Sequence, residues 1–471
     1  MLSRFLKKYP LLIVLGLALL IRITYFLFVI VRNPEGIYIF DSYGYWQIAF
    51  NLKEYGIFSQ SYQLPLEPDY YRTPLYPLFI MFAEAIGPEG ITIIILQILI
   101  AVGSCYLTYR LAFDLTMSSF IAFLSGIIVA FDIPSIVMNT IVLTETLFTF
   151  LLLSSVYGFM KYLSSGSIKA LLVSALLCGG MILCRPIGFF VPFFYAGFIL
   201  FRMKNDLKKM ILHVLLISGL VATVISPWLI RNKITFGHFF LSVIREHNMQ
   251  NYEAGAIYAE LHGRTLAESQ SILRWKSFRE FKGNANKQPY EYAKFIESQA
   301  ISLTLENPGI FLEHHVKQFL YFFLKPCRAY IDIQLGYWGS AYNTIPKNYP
   351  LMDYMFKHNS ILTIAAVLFQ MLVLILVYPA MLISFFFFRM RKKKLFFVFL
   401  ASLILCMAVL TLPAVAESRF RVPVMPFIAI LAASGVYLVK ERYRRKGSVE
   451  KEIADKDGSD HPEQVSDQSA G

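Results

Sequence analysis

Two acids and five arginines stand out in this sequence because of where they sit. Asp41 opens "DSYGYWQIAFNL" just after an apolar run, Tyr9 to Val31, and Glu145 lies in "MNTIVLTETLFTF" at the start of another. Arg72 ("YYRTPLYP"), Arg185 ("CRPIGFF"), Arg231 ("SPWLIRN"), and Arg419 and Arg421 ("ESRFRVPVMP") each stand at an end of an apolar run. A guanidinium grips phosphate through a rigid fork of donors, and a positioned carboxylate takes a proton from a hydroxyl. Taken singly, each arginine meets lipid head groups just as readily, because long basic side chains snorkel. Together they favour an anionic ligand, a phosphate whose tail lies in lipid.

The acids carry a plainer reading too. Glu145 is also a helix N-terminal acid favoured by the dipole, with Thr144 beside it as a cap. Asp41 is also a loop acid among Tyr43, Tyr45 and Trp46, aromatic residues of the kind that collect at membrane surfaces. Arg22, inside the first apolar run, either pairs with an interior carboxylate or reaches up to the outer interface. The histidines give no metal signal. His314 and His315 are adjacent and point apart on a helix, and His238, His247 and His262 have no ligand spacing. Four cysteines (105, 178, 184, 406) lie in apolar runs and Cys327 stands alone, so neither a disulfide framework nor a zinc pattern follows.

The elements that must hold these residues are membrane helices. Of 471 residues 56% are hydrophobic and only 16% charged, too apolar for a soluble chain of this length. The formal charge of +13 comes from Lys and Arg gathered in short loops, where they set topology, so a nucleic-acid partner is excluded. The first run lacks a small-residue cleavage site and exceeds a signal-peptide core, so it is expected to remain as a span.

Spans are expected near 9–31, 91–113, 118–134, 142–163, 168–184, 186–201, 210–230, 358–388, 395–414 and 422–439. These ten place every basic cluster on the cytoplasmic side: Arg4, Lys7 and Lys8, "RMKNDLKK" (202–209), "RMRKKK" (389–394) and "KERYRRK" (440–446). The stretch "TPLYPLFIMFAEAIG" (73–87) is too short to cross and contains Pro77 and Glu84, so it reads as a re-entrant or interfacial helix on the outer face.

The expected organisation is therefore an all-α polytopic membrane protein in four parts. Residues 1–232 form an N-terminal membrane module with a catalytic first outer loop (33–90), and 233–357 an outer helical segment. Residues 358–440 supply the C-terminal membrane helices, and 441–471 a cytoplasmic disordered tail, polar from Gly447 onward. Within the outer segment, "NPGIFLEHHVKQFLYFFLKP" (307–326) reads as an amphipathic helix lying on the membrane part or on the bilayer.

The order of six stretches, "FDSYGYWQIAFNL", "YYRTPLYPLFIMFAEAIG", "LTETLFTFLLL", "CRPIGFF", "PWLIRNKITFGHF" and "ESRFRVPVMPF", resembles the GT-C glycosyltransferases. The likeness is greatest to protein O-mannosyltransferases and the lipid A aminoarabinose transferase, and it covers about residues 1 to 440. The resemblance implies a GT-C fold and a donor sugar carried on a polyprenyl phosphate. Transfer would go to a lipid, protein or cell-wall glycan on the extracytoplasmic face. It puts the family's catalytic aspartate on Asp41, the second acid on Glu145, the basic turn on Arg72, and the late Arg-Tyr motif on Arg419 and Phe420.

Two departures matter. Ser42 follows Asp41 where mannosyltransferases have Glu, which weakens a paired-acid metal site, and Phe420 replaces Tyr. A divalent cation bridging Asp41 and Glu145 stays open. The chemistry expected is inverting transfer, with Asp41 as base, Glu145 as a second catalytic acid that orients the acceptor or steadies Asp41, Arg72 and Arg419 holding the departing phosphate, and Arg185, Arg231 and Arg421 as further phosphate contacts. A transporter or flippase of a lipid-linked glycan is the alternative, and transporters place their binding groups nearer mid-membrane.

Overall fold

The structure, a computed structural model, describes residues 9–337, 360–387, 394–411 and 416–459. Most of the two basic clusters at residues 4–8 and 389–394 lies outside the described residues. Every regular element described is helical.

In chain order the helices are α1 (Pro10–Arg32), α2 (Ser42–Tyr55), α3 (Leu75–Ile86), α4 (Ile91–Thr116), α5 (Ser119–Ala130), α6 (Ile133–Met138), α7 (Glu145–Ser165), α8 (Ile168–Cys184), α9 (Val191–Arg202) and α10 (Leu207–Phe236). The segment after α10 adds α11 (Ile244–Asn248), α12 (Gly255–His262), α13 (Leu266–Glu280), α14 (Pro289–Glu306), α15 (Pro308–Leu324) and α16 (Arg328–Gln334). The chain closes with α17 (Ile361–Phe387), α18 (Lys394–Leu410), α19 (Ser418–Arg421) and α20 (Met425–Ser459).

Local chemistry sets many of these ends. Ser118, Asp132, Ser167, Asp206 and Thr265 each accept a backbone N–H of the first turn of the helix they precede. Gly56, Gly166 and Gly237 end α2, α7 and α10 in the left-handed region.

Among the described residues, six helices are long and apolar enough to cross a membrane: α1, α4, α7, α10, α17 and the stretch Ser418–Arg445. The other four expected spans coincide with shorter apolar helices: α5, α8, Pro186–Arg202 and Leu395–Leu410. Length thus carries six of the ten by itself. At 12 residues α3 is about 18 Å long, well short of a hydrocarbon core of about 30 Å. Helix α5 has the same length, but it is prolonged by α6 and a buried stretch reaching Leu143.

Helix α7 and the first part of α20 form the centre. From Val422 to Ser434 every residue described is buried, and α7 buries all but three residues of Glu145–Val156. Helix α1 instead buries one stripe, Val14, Ala18, Arg22, Phe26 and Val29, and leaves its other faces to lipid. Helices α17 and α20 meet backbone to backbone at Gly435, where a β-carbon would stand 1.8 Å from the Ala380 carbonyl oxygen.

The segment from α11 onward is helical as far as it is described, to Tyr337, and residues 338–359 lie outside the described residues. Helix α15 buries Gln318 and Phe322 and turns Leu312, Val316, Leu320 and Leu324 outward at a spacing of four. That is the amphipathic helix expected from sequence, resting on protein by one face and apolar on the other. One expectation fails. Helix α20 continues to Ser459, past Gly447, where a disordered tail was expected; Glu, Lys and Ala in "SVEKEIADKD" are good helix formers, so the helix propagates. Residues 460–471 lie outside the described residues.

Candidate functional site

Asp41 sits where three segments interlock. The turn Pro34–Ile37 rests on the end of α16, because Gly36 has no side chain to strike the Gln334 carbonyl, 2.4 Å from where a β-carbon would stand. Asn33 Nδ2 donates to the Gln334 carbonyl at 3.1 Å, and Val142 N–H donates to the Ile37 carbonyl at 2.9 Å. The second bond ties the loop to the segment that leads into Glu145. Phe40, directly before Asp41, has φ 46°, a left-handed conformation that costs a bulky residue energy. Its ring packs edge-on against Tyr330 at 6.1 Å. Packing thus holds the backbone that aims Asp41.

Arg72 and Arg185 are fixed to the same frame. The Asp69 carboxylate accepts the backbone N–H of Tyr71 at 3.0 Å and of Arg72 at 2.7 Å, closing a local turn. Thr73 Oγ1 donates to the Cys184 carbonyl at 3.1 Å, one residue before Arg185. Cys184 Sγ in turn lies 3.9 Å from the Thr144 carbonyl, one residue before Glu145. Three neighbours in contact therefore place Arg72, Arg185 and Glu145 around one point, and α19 brings Arg419 from the far end of the chain.

The result is a chain of alternating charges. Asp41 Oδ1 meets Arg72 Nη2 at 2.8 Å and Asp41 Oδ2 meets Arg419 Nη1 at 3.3 Å. Arg419 Nη1 lies 4.0 Å from Glu145 Oε1, which Arg185 Nη1 reaches at 2.7 Å. Glu145 is 1% exposed and its Oε2 has no partner among the described residues, whereas the Asp41 side chain is 37% exposed. Of the two acids, Asp41 is the one a substrate can touch. Burial pushes the Asp41 carboxyl up, but Arg72 and then Arg419 outweigh it and hold the group well below the usual carboxylate range.

Aromatic rings complete the walls. The Arg72 guanidinium lies 4.6 Å from the Tyr45 ring centroid with Nη1 3.3 Å from that hydroxyl, and Arg419 lies 5.0 Å from the Phe420 ring. His247 meets Tyr71 at a tilt, ring centroids 4.7 Å apart. Burial pushes its imidazole down to about 4, so it is neutral near pH 7 and adds no cation to the cluster.

Two of the expected phosphate contacts stand apart. Arg231 Nη1 donates to the Asp69 carbonyl at 2.7 Å, with its face on Trp228 at 4.8 Å, so it braces the turn that carries Arg72. Arg421 is 1% exposed, and its Nη1 donates to the carbonyls of Phe322 at 3.1 Å and Phe323 at 2.5 Å. These are last-turn carbonyls of α15, which have no partner inside their own helix, and a cation complements that end. Arg22 acts the same way on α5, donating to Ala130 at 3.1 Å and Val129 at 3.3 Å, with the buried Asp132 carboxylate two residues beyond that helix end. Accordingly, Arg421→Met is expected to lower unfolding stability by about 1 to 3 kcal/mol and to leave affinity for a lipid phosphate unchanged. Thermal melts and binding on one preparation check this; normal melting with lost binding would return Arg421 to the site.

Sequence reasoning missed Glu417 and Tyr330. Glu417 Oε2 lies 3.5 Å from Arg419 Nε and accepts the Tyr330 hydroxyl, while its Oε1 is 4.0 Å from Lys325 Nζ. Arg419 is thus shared by three carboxylates. The signal was available: Glu417 is an acid at the outer end of a span, two residues before an arginine.

As for a metal, Asp41 and Glu145 have the Arg419 guanidinium between them, and both Asp41 oxygens already face guanidinium donors. Among the described residues no group of three or more His, Cys, Asp or Glu is placed to hold an ion. The pair does not fit a metal in this arrangement.

Comparison with known proteins agrees with the fold. The family model described as dolichyl-phosphate-mannose-protein mannosyltransferase matches residues 71–230, a stretch that contains Arg72, Glu145 and Arg185. No curated protein matches the chain. The archaeal oligosaccharyltransferase AglB from Archaeoglobus fulgidus, solved with an inhibitory peptide and a dolichol-phosphate, aligns with a TM-score of 0.53 at 15% identity over 95% of this chain. An Archaeoglobus fulgidus oligosaccharyltransferase solved with Zn and sulfate aligns with a TM-score of 0.51 at 13% identity over 94% of it. This chain spans about half of each, 52% and 51%. ArnT from Cupriavidus metallidurans, in the apo state, aligns with a TM-score of 0.35 at 13% identity over 84% of this chain and 72% of its own. The chain is thus a multi-pass helical membrane protein that shares the fold of the two Archaeoglobus fulgidus oligosaccharyltransferases.

Proposed function

We propose that this protein is a glycosyltransferase that moves a sugar from a polyprenyl-phosphate donor to an acceptor hydroxyl on the extracytoplasmic face, with inversion at the anomeric carbon. One observation carries the reading. A half-exposed carboxylate, Asp41, stands between two guanidiniums, Arg72 and Arg419, beside the ends of membrane helices. The matching family is described by a dolichyl-phosphate mannose donor, and AglB was solved with a dolichol-phosphate. Both fit a donor whose phosphate meets arginine while its tail stays in lipid.

In the step itself, Asp41 takes the proton of the acceptor hydroxyl as its oxygen attacks the anomeric carbon from the side opposite the phosphate. The bond from that carbon to the phosphate oxygen breaks, and polyprenyl phosphate leaves with the electron pair. Arg72 and Arg419, with Arg185 behind them, stabilise the charge that grows on the departing oxygen. Glu145, buried against Arg185, holds these arginines in register and does not meet the acceptor. The steps here need no metal, and the zinc belongs to one of the similar structures.

The acceptor class, lipid, protein or cell-wall glycan, is read by mass spectrometry of outer-surface glycans from cells with and without the protein. One acceptor class is expected to lose a fixed sugar mass. Identical glycans in both samples would overturn the reading.

A further inference from the structure

As the structure describes it, Asp41 is a poor base. Both oxygens are engaged by guanidiniums, at 2.8 Å and 3.3 Å, and a carboxylate so well satisfied accepts a proton from a hydroxyl only weakly. The site contains what is needed to undo this.

Among the described residues the two arginines have other partners, and Asp41 does not. Arg72 keeps the Tyr45 hydroxyl at 3.3 Å and the face of its ring. Arg419 keeps Glu417 at 3.5 Å and Glu145 at 4.0 Å. Asp41 occupies the N-cap position of α2 yet makes no side-chain bond to that helix. Its ion-pair partners among the described residues are these two arginines. It is also the most exposed member of the triad, at 37% against 13% for Arg72 and 19% for Arg419. An incoming anion therefore displaces Asp41 without dismantling the arginines.

We propose that the Asp41 carboxylate occupies the seat of the donor's phosphate, and that Arg72 and Arg419 exchange it for that phosphate when the donor binds. Donor binding thereby releases Asp41 to act as base, beside an anomeric carbon already in place. Binding becomes ordered: an acceptor arriving first meets a carboxylate tied to two cations. After transfer, polyprenyl phosphate leaves and Asp41 returns to the arginines, helping to expel the product. The inference rests on the proposed donor class.

The test uses polyprenyl monophosphate as probe and the full chain in nanodiscs. Exchange means that Asp41 competes with phosphate, so Asp41→Asn and Asp41→Ala are both expected to bind the probe about tenfold more tightly than wild type. On the wild type, infrared difference spectra with ¹³C-carboxyl aspartate are expected to show a carboxylate band that shifts when the probe binds, a shift that needs no variant to fold. Unchanged or weaker binding in both variants overturns the exchange, and so does a wild-type spectrum with no carboxylate change despite measurable binding. No probe binding by wild type would instead overturn the donor class, and the exchange with it.

Discussion

Asp41→Asn is expected to lower sugar transfer by about 10²- to 10⁴-fold, the range lost with a general base, without lowering donor affinity. The amide keeps the size of the carboxylate and one acceptor oxygen but cannot take a proton. The variant also removes the negative charge between Arg72 and Arg419, which leaves both arginines free for phosphate. Turnover and binding should thus move in opposite directions. Measuring both on one purified sample separates the base from a structural acid, whose loss would lower both. A chelator arm on the wild type separates it from a metal ligand. Turnover and binding lost together in Asp41→Asn, and lost again in wild type with chelator, would reassign Asp41 to an ion.

Arg419→Ala is expected to do comparable damage by a different route. Arg419 is the one cation within 4.0 Å of Asp41, Glu145 and Glu417 alike among the described residues. Glu145, at 1% exposure, would keep only Arg185, and the departing phosphate would lose a stabilising donor. Loss of one such donor costs about 10²- to 10³-fold in turnover, and here donor binding weakens as well. Arg419→Lys restores the charge but not the fork that serves three acids, so partial recovery of kcat with a raised KM for the donor is expected. Full activity in Arg419→Ala would remove this residue from the phosphate site.

The contrast between Arg419 and Arg421 marks how far the sequence reaches. Both break the positive-inside pattern within three residues of each other, and nothing in composition or spacing separates them. What separates them is tertiary: Arg421 points at the last carbonyls of α15, about a hundred residues earlier in the chain. Arg22 was ambiguous for the same reason, since the end of α5 that it caps is invisible to local pattern. Asp41, Arg72 and Glu145 were legible because topology alone puts them on one face, next to apolar runs. Their convergence was not, because it depends on Thr73, Cys184 and Thr144 meeting. Glu417 was overlooked although its position satisfied the argument already applied to Asp41 and Glu145. The fold was the most legible part. Apolar runs fixed the helices, and the failures fall at edges, such as α20 running on to Ser459, where propensity and not burial decides.

Chemical transfer from a lipid phosphate is tested in proteoliposomes. Vesicles containing the purified protein and a labelled polyprenyl-phosphate sugar are supplied with the acceptor class that the glycan comparison identifies. Free polyprenyl phosphate and glycosylated acceptor are expected to form in equal amounts, while intact donor stays on its own leaflet. Intact donor crossing the bilayer with no free polyprenyl phosphate formed would contradict transfer and make the protein a flippase.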